Sequence, residues 1–261
     1  MKYTYFCKKG GVGKTTITGE HASYLASLGK KVLMVSVDDQ NSIFEMFGKS
    51  PLVFEREDNY LEHYIAKLAT LEDILHPIRP NLYAIKTLNT DMLSKKLTLE
   101  RPFEKQFLSV LKSLEAEFDY VFFDLPPSSN RTSEIVLDFV DTVILIVELN
   151  KLGVNGFFNT LQYFVDAGLN SEKIRYILPN GFSKNKSVPS VALEELNGMI
   201  KEHLETPVTV LSCMPEKSSI QSLQAKGVSV FDKRGNHLSS YERSQKAILK
   251  ETMTQLYDQI Q

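Results

Sequence analysis

The segment Lys2-Tyr3-Thr4-Tyr5-Phe6-Cys7-Lys8-Lys9-Gly10-Gly11-Val12-Gly13-Lys14-Thr15-Thr16 decides how this chain is read. Its first residues predict a strand near residues 2–7, and a helical pattern starts at Thr15 and runs to residue 28. The order is therefore strand, glycine-rich loop, helix, which is the context in which a G-K-[ST] sequence cradles phosphate. Glycines let successive backbone N–H groups turn inward, and the helix N-terminus adds its positive dipole. Lys14 supplies a point charge for the β- and γ-phosphates of a nucleotide, and Thr15 offers its hydroxyl to a magnesium ion. A glycine-rich turn without a ligand is the plainer alternative. The usual pattern has glycine where Lys8 stands, and a second cation, Lys9, precedes the paired glycines.

Outward from this loop, short β-branched runs alternate with longer stretches of helical period, the pattern of βαβ units around a parallel sheet buried on both faces. Strands are expected near residues 2–7, 31–37, 81–87, 119–124, 142–147, 174–179 and 207–211. Helices are expected over 15–28, 98–117, 153–167, 187–204 and 238–260. The predicted class is α/β, a P-loop NTPase fold with a twisted, mostly parallel sheet flanked by helices on both faces. Residues 47–80 are too long for a simple crossover and carry Pro51, Pro77 and Pro80, which marks them as a candidate insertion. No internal repeat or Gly/Ser linker divides the chain, so a single domain over 1–261 is expected.

Composition narrows the function. Thirty Lys+Arg against 32 Asp+Glu leave a net charge of −2, which excludes a chain that coats nucleic acid by global charge. Two cysteines, Cys7 and Cys213, exclude a disulfide framework and an all-cysteine cluster within one chain, and both read as small buried apolar residues. The longest apolar run, 142–149, is far below the roughly 20 residues of a membrane helix. The first residues lack the long apolar core of a signal peptide, so a cytoplasmic location is expected.

A nucleotide site also needs acidic residues to hold magnesium and orient water, and in an open parallel sheet these come from the carboxyl ends of strands. Asp124 ends the run Tyr120-Val121-Phe122-Phe123-Asp124 before Leu125-Pro126-Pro127, and Asp38 closes Val32-Leu33-Met34-Val35-Ser36-Val37-Asp38. Either one alone reads equally as a loop or helix-capping Asp. Their joint position after a P-loop favours Asp124 and Asp38, with Thr15, around a metal ion.

The run Lys9-Gly10-Gly11-Val12-Gly13-Lys14-Thr15-Thr16 resembles the deviant Walker A motif of the ParA/MinD ATPases. The resemblance aligns Lys9 with that family's signature lysine, which reaches phosphates bound by the other subunit of an ATP sandwich dimer. A solvated surface charge is the alternative for Lys9. Asp124 with Leu125-Pro126-Pro127 is similar to the family's Walker B strand. Ser36-Val37-Asp38-Asp39-Gln40 stands where the family reads D-x-D-P-Q. Asp38 thus carries over as the residue that positions the attacking water, whereas Ser36 and Asp39 depart from the pattern and put the hydrolysis rate in question. Asn180, after Ile174–Pro179, resembles the family's purine-reading Asn, and the backbone of Pro215 and Glu216 would pack on the base. A turn residue is the alternative for Asn180. Residues 219–231 resemble the family's stretch ending G-x-x-[IV]-F, so the likeness covers nearly the whole chain outside 47–80. It implies an ATPase that takes ATP and Mg2+, with Lys9, Lys14 and Asp38 in the chemistry.

Within the family, the C-terminal residues 246–261 are amphipathic without a terminal cationic cluster, which argues against a MinD-type membrane helix and for packing on the sheet. The cysteine positions do not match the iron-protein branch. Residues 171–250 hold 12 Lys/Arg against 8 Asp/Glu, including Lys184, Lys186, Lys217, Lys226, Lys233, Arg234, Arg243 and Lys246. This surface suits non-specific grip on DNA phosphates, with a mixed solvated surface as the alternative. The expectation is a DNA-segregation ATPase of plasmid or chromosome partition, nucleoid-associated, dimeric on ATP, without membrane contact and stimulated by a ParB-like centromere-binding partner. The rivals are a MinD-like or metal-carrier ATPase of the same fold and a small-molecule P-loop kinase.

Overall fold

A computed structural model describes residues 1–52, 59–183, 187–204, 207–215, 218–233 and 237–260. In chain order the elements are β1 (Lys2–Phe6), α1 (Lys14–Ser27), β2 (Val32–Ser36), α2 (Ser42–Glu45), α3 (Leu61–Ile65), α4 (Leu71–Ile74), β3 (His76–Arg79) and β4 (Leu82–Ile85). Then follow α5 (Thr90–Leu99), α6 (Arg101–Glu117), β5 (Tyr120–Asp124), α7 (Arg131–Phe139), β6 (Thr142–Glu148), α8 (Lys151–Asp166) and β7 (Ile174–Phe182). The last elements are α9 (Ser187–His203), β8 (Thr209–Val210), β9 (Met214–Pro215), α10 (Ser218–Gln224) and α11 (Ser240–Tyr257). The strands form one sheet in the order β3-β4-β2-β5-β1-β6-β7-β8, with β9 paired to β7. Every pairing is parallel except β3 with β4.

Strand alternation divides the core into two layers. Tyr3, Tyr5, Met34, Phe122, Ile144 and Leu178 face α1, α10 and α11, while Phe6, Leu33, Val35, Phe123, Leu145 and Ile177 join the core beneath α3 and α5–α9. Burial on both faces explains why the central strands are apolar throughout rather than alternating with polar residues. The central strand β1 lies between β5 and β6, so the crevice beyond its carboxyl end is a topological switch point, where open α/β sheets bind ligands.

Several expected elements differ. The helix expected over 98–117 starts at Arg101 as α6, because Pro102 lacks an N–H and fits only the first turn, and the sequence reading missed α5, which lies before it over Thr90–Leu99. The sequence reading missed α7, whose Ile135-Val136 pair looks like strand; Asn130 starts it by accepting a hydrogen bond from Ser133 N at 2.8 Å. Residues 59–80 contribute α3, α4 and the antiparallel edge strand β3. The C-terminal helix α11 packs against α1 and α10 on the layer of the core that includes Tyr3 and Tyr5 of β1, with Tyr257 stacked on His21 at 4.4 Å. Cys7 is buried, but Cys213 is only half-buried, against expectation.

Candidate functional site

The loop after β1 has the geometry an anion needs. Gly11 and Gly13 hold φ of 75° and 94°, a region that side chains disfavour. Gly13 caps α1 without a side-chain hydrogen bond, and no acidic residue lies in the first turn. The N–H groups of that turn are therefore capped by no side chain of the turn itself and remain open to an anion. Lys14 is 7% exposed, and its Nζ donates to the carbonyls of Cys7 at 3.2 Å and Lys9 at 3.0 Å. Burial lowers its pKa, an effect opposed by nearby groups including Asp124 and Asp38. Its charge is thus folded back into its own loop.

Asp124, at the end of β5, lies beside Ser36 at the end of β2 in the strand register. Thr15 Oγ1 donates to Asp124 Oδ1 at 3.1 Å. The Asp124 carboxyl is pushed up to about 7, chiefly by burial and also by Asp38, against the opposing Thr15 hydrogen bond and Lys14. One hydroxyl and one carboxylate that ionises when a cation arrives fit Mg2+, which keeps waters and takes its other ligands from phosphates. Among the described residues no group of three or more His, Cys, Asp or Glu side chains forms a metal cage, so a metal here fits as a companion of the nucleotide.

Asp38 is half-buried. Its Oδ1 accepts from Gln40 N at 3.1 Å, and its carbonyl accepts from Ser36 Oγ and Asn41 N, each at 2.9 Å. The neighbouring Asp39 is committed elsewhere: Oδ2 accepts from Thr90 N at the start of α5, and Oδ1 from Gln40 Nε2, both at 3.1 Å. Asn41 then ties the loop to β4 through paired hydrogen bonds with the Thr87 backbone at 3.0 and 3.1 Å. The departures Ser36 and Asp39 thus brace the loop that carries Asp38.

On the other side of β1 the sequence reading missed a third carboxylate. Glu148 ends β6, and its Oε2 lies 2.5 Å from Lys9 Nζ. The strand-end rule that singled out Asp124 also points to this Glu.

A cleft of about 230 Å³ runs from Gly11, Gly13 and Thr16 to Asn180 and Gln224. Asn180 lies within β7 rather than in a turn after it, in register with Glu148 on β6 and Met214 on β9. Its Nδ2 donates to Val12 O at 2.7 Å, which fixes the amide and leaves the buried Oδ1 without a partner among the described residues. Gln224 accepts from Thr16 Oγ1 at 3.3 Å and leaves its buried Nε2 similarly unpaired. An orphaned acceptor and donor beside a phosphate cradle suit a polar ligand such as a base. Pro215 pairs with Phe182 at the edge of this region, and Glu216 lies outside the described residues. The sequence reading did not single out Gln224, since nothing local to α10 marks it.

The expected basic surface is partly engaged within the chain. Lys226 pairs with Glu242 at 2.5 Å, Arg243 donates to Leu238 O and Lys246 to Asp232 O. Lys184, Lys186, Lys217 and Arg234 lie outside the described residues. Among the described residues, no helix is long and apolar enough to cross a membrane.

A phosphate-cradling loop at the switch point of a parallel sheet, with a Thr–Asp pair for a nucleotide's metal, defines the class of P-loop nucleotide-binding proteins. Residues 4–174 match the family model AAA_31, described as an AAA domain. The chain is 26% identical over 206 residues to the chromosome partitioning protein ParA of Myxococcus xanthus, spanning 76% of this chain and 70% of that one. It is 30% identical over 168 residues to the chromosome-partitioning ATPase Soj of Thermus thermophilus, 62% and 61% of the respective chains. The fold is similar to that of Cyanothece McdA in complex with ATP, with a TM-score of 0.72 at 17% identity over 95% of this chain and 96% of that one. Pyrococcus horikoshii MinD with Mg-ADP has a TM-score of 0.65 at 19% identity over 96% and 95%. The chain belongs to the ParA/MinD family of P-loop ATPases.

Proposed function

We propose that the chain is an ATP-driven DNA-partition switch, built as a single domain over 1–261. It binds ATP with Mg2+, closes into a sandwich homodimer, holds DNA without reading sequence, and hydrolyses ATP when a ParB-like centromere-binding protein engages it. Its place would be the cytoplasm, at the nucleoid.

The carrying observation is the division of labour between two lysines of one loop. Lys14 Nζ lies on the loop's own carbonyls, whereas Lys9 Nζ lies on the Glu148 carboxylate at the end of β6. One cation suffices for the local phosphates, which leaves the other for a partner's. In this reading the backbone of Gly10, Gly11, Val12 and Gly13 wraps the phosphates, with Lys14 neutralising their charge and Thr16 flanking the cleft. Thr15 and Asp124 hold the magnesium, Asp38 contributes to its surroundings and orients water, and Lys9 acts across the dimer. Asn180 reads the base beside Pro215 and Glu216. The bound magnesium supplies charge stabilisation at the phosphates. DNA binding and partner stimulation are supported by the partition relatives and the basic balance of residues 171–250.

The deciding experiment measures ATP hydrolysis without an acceptor substrate, with and without a centromere-binding protein, alongside molecular mass in ATP and ADP. ATP-specific dimers with acceptor-free turnover support the reading. A monomer that turns over ATP only with a small-molecule acceptor points to a kinase.

A further inference from the structure

We propose that Glu148 is a positioning residue that holds Lys9 within its own subunit until nucleotide binds, so that each subunit carries a latch against premature dimerisation. The inference rests on the sandwich-dimer reading above. Lys9 Nζ and Glu148 Oε2 are 2.5 Å apart, with side chains 28% and 37% exposed. The contact is charge-assisted yet wet enough to exchange.

Helix α8 builds the seat for this pair. A Cβ at Gly156 would lie 3.5 Å from Lys9 Cβ and 3.7 Å from Lys9 Cδ, so the lysine stem runs along bare helix surface. A Cβ at Gly153 would fall 2.0 Å from the Glu148 carbonyl oxygen, so only glycine lets the helix start press on the end of β6. Asn150 fixes that start by accepting from Gly153 N at 2.8 Å. Segment 148–156 thus supplies both the carboxylate and the groove.

The pair is also wired to the nucleotide cleft. Glu148 lines that cleft, so a bound triphosphate sets a second anion beside the ion pair and competes for its cation. Lys14 Nζ, which donates to the Lys9 carbonyl at 3.0 Å, turns to phosphate when nucleotide binds and releases the Lys9 backbone. Both events loosen Lys9 at the moment a partner's phosphates become available.

A half-exposed pair of this kind holds its cation back by about 2- to 5-fold. A symmetric dimer releases two, so the restraint on dimerisation is about 4- to 25-fold.

The test compares wild type, Glu148→Gln and Glu148→Asp, each also with Lys9→Ala, by sedimentation in ATP and by the rate at which Lys9 reacts with an amine-acylating reagent without nucleotide. At limiting ATP, where most subunits keep the latch, Glu148→Gln should lower the concentration for half-dimerisation by up to about 25-fold and speed Lys9 acylation. Glu148→Asp should fall between, and Lys9→Ala should abolish the dimerisation gain. Weaker dimerisation of Glu148→Gln would overturn the latch, because Glu148 would then be receiving the partner's lysine. Unchanged dimerisation together with unchanged acylation would overturn it too. If wild type fails to dimerise on ATP while Glu148→Gln still speeds acylation, the ion pair stands but the sandwich reading falls, and the latch with it.

Discussion

Asp39 and Thr90 hold each other through reciprocal hydrogen bonds: Asp39 N donates to Thr90 Oγ1 at 2.9 Å, and Thr90 N donates to Asp39 Oδ2 at 3.1 Å. The contact joins the loop after β2 to the first turn of α5, 51 residues away in sequence. It commits the extra carboxylate to loop bracing, in keeping with the role proposed for Asp38. Asp39→Ala should therefore cost about 1 kcal/mol, as loss of a helix-end acceptor does. The melting temperature should fall by about 2–4 °C. Asp38→Ala should melt like wild type and bind ATP, yet turn over about 100-fold more slowly. Calorimetry and phosphate release on both variants check this, and a slow Asp39→Ala with a normal Asp38→Ala would reverse the roles.

The two loop lysines should separate cleanly. Lys14→Ala loses the buried cation of the cradle, and its affinity for a fluorescent ATP analogue should fall about 100-fold. Lys9→Ala should bind that analogue like wild type but stay monomeric in ATP, as read by light scattering. Normal ATP-dependent dimers of Lys9→Ala would reduce Lys9 to a surface charge.

Asp124 links stability to pH. Its folded pKa of about 7 lies above the ordinary aspartate value of 3.8. Below pH 3.8 both folded and unfolded chains carry the proton. Between 3.8 and 7 the unfolded chain binds fewer protons than the folded one, so stability from this group falls as pH rises and levels off above 7. The full loss is roughly 4 kcal/mol. Without magnesium, Asp124→Asn should accordingly raise the melting temperature at pH 8 more than at pH 5, while weakening Mg-ATP binding. An equal shift at both pH values would show that Asp124 stays ionised throughout.

Asn180 should matter for the base alone. Asn180→Ala removes an acceptor fixed by Val12 O, and ATP affinity should drop about 10-fold. Inorganic triphosphate affinity should hold. Titration calorimetry with both ligands distinguishes a base contact from collapse of the loop, which would weaken both.

DNA binding should require ATP, ignore sequence and fall steeply with salt, since two weak basic faces act together. Gel shifts of two unrelated duplexes across a salt series should give equal affinities, seen in ATP and not in ADP. A strong preference for one duplex counts against partition and leaves the ATPase untouched.

The phosphate loop and the central parallel strands were legible in the sequence because their signals are local. Glycines at 11 and 13 set their own φ, Lys14-Thr15 opens a helix, and the apolar strands that end at Asp124 and two residues before Asp38 place carboxylates at one end of the sheet. The start of α6 was written at Pro102, whereas α5 before it went unread. Tertiary structure alone decided what those groups do to one another. Glu148 meets Lys9 across 139 residues, and Asn180 reaches Val12 across 168. Asp39 turns to α5 only because β2 and β4 end side by side. A residue's neighbours in sequence fix its backbone conformation, but charge pairing and burial depend on which strand ends the sheet order makes adjacent. That order follows from packing two apolar layers at once.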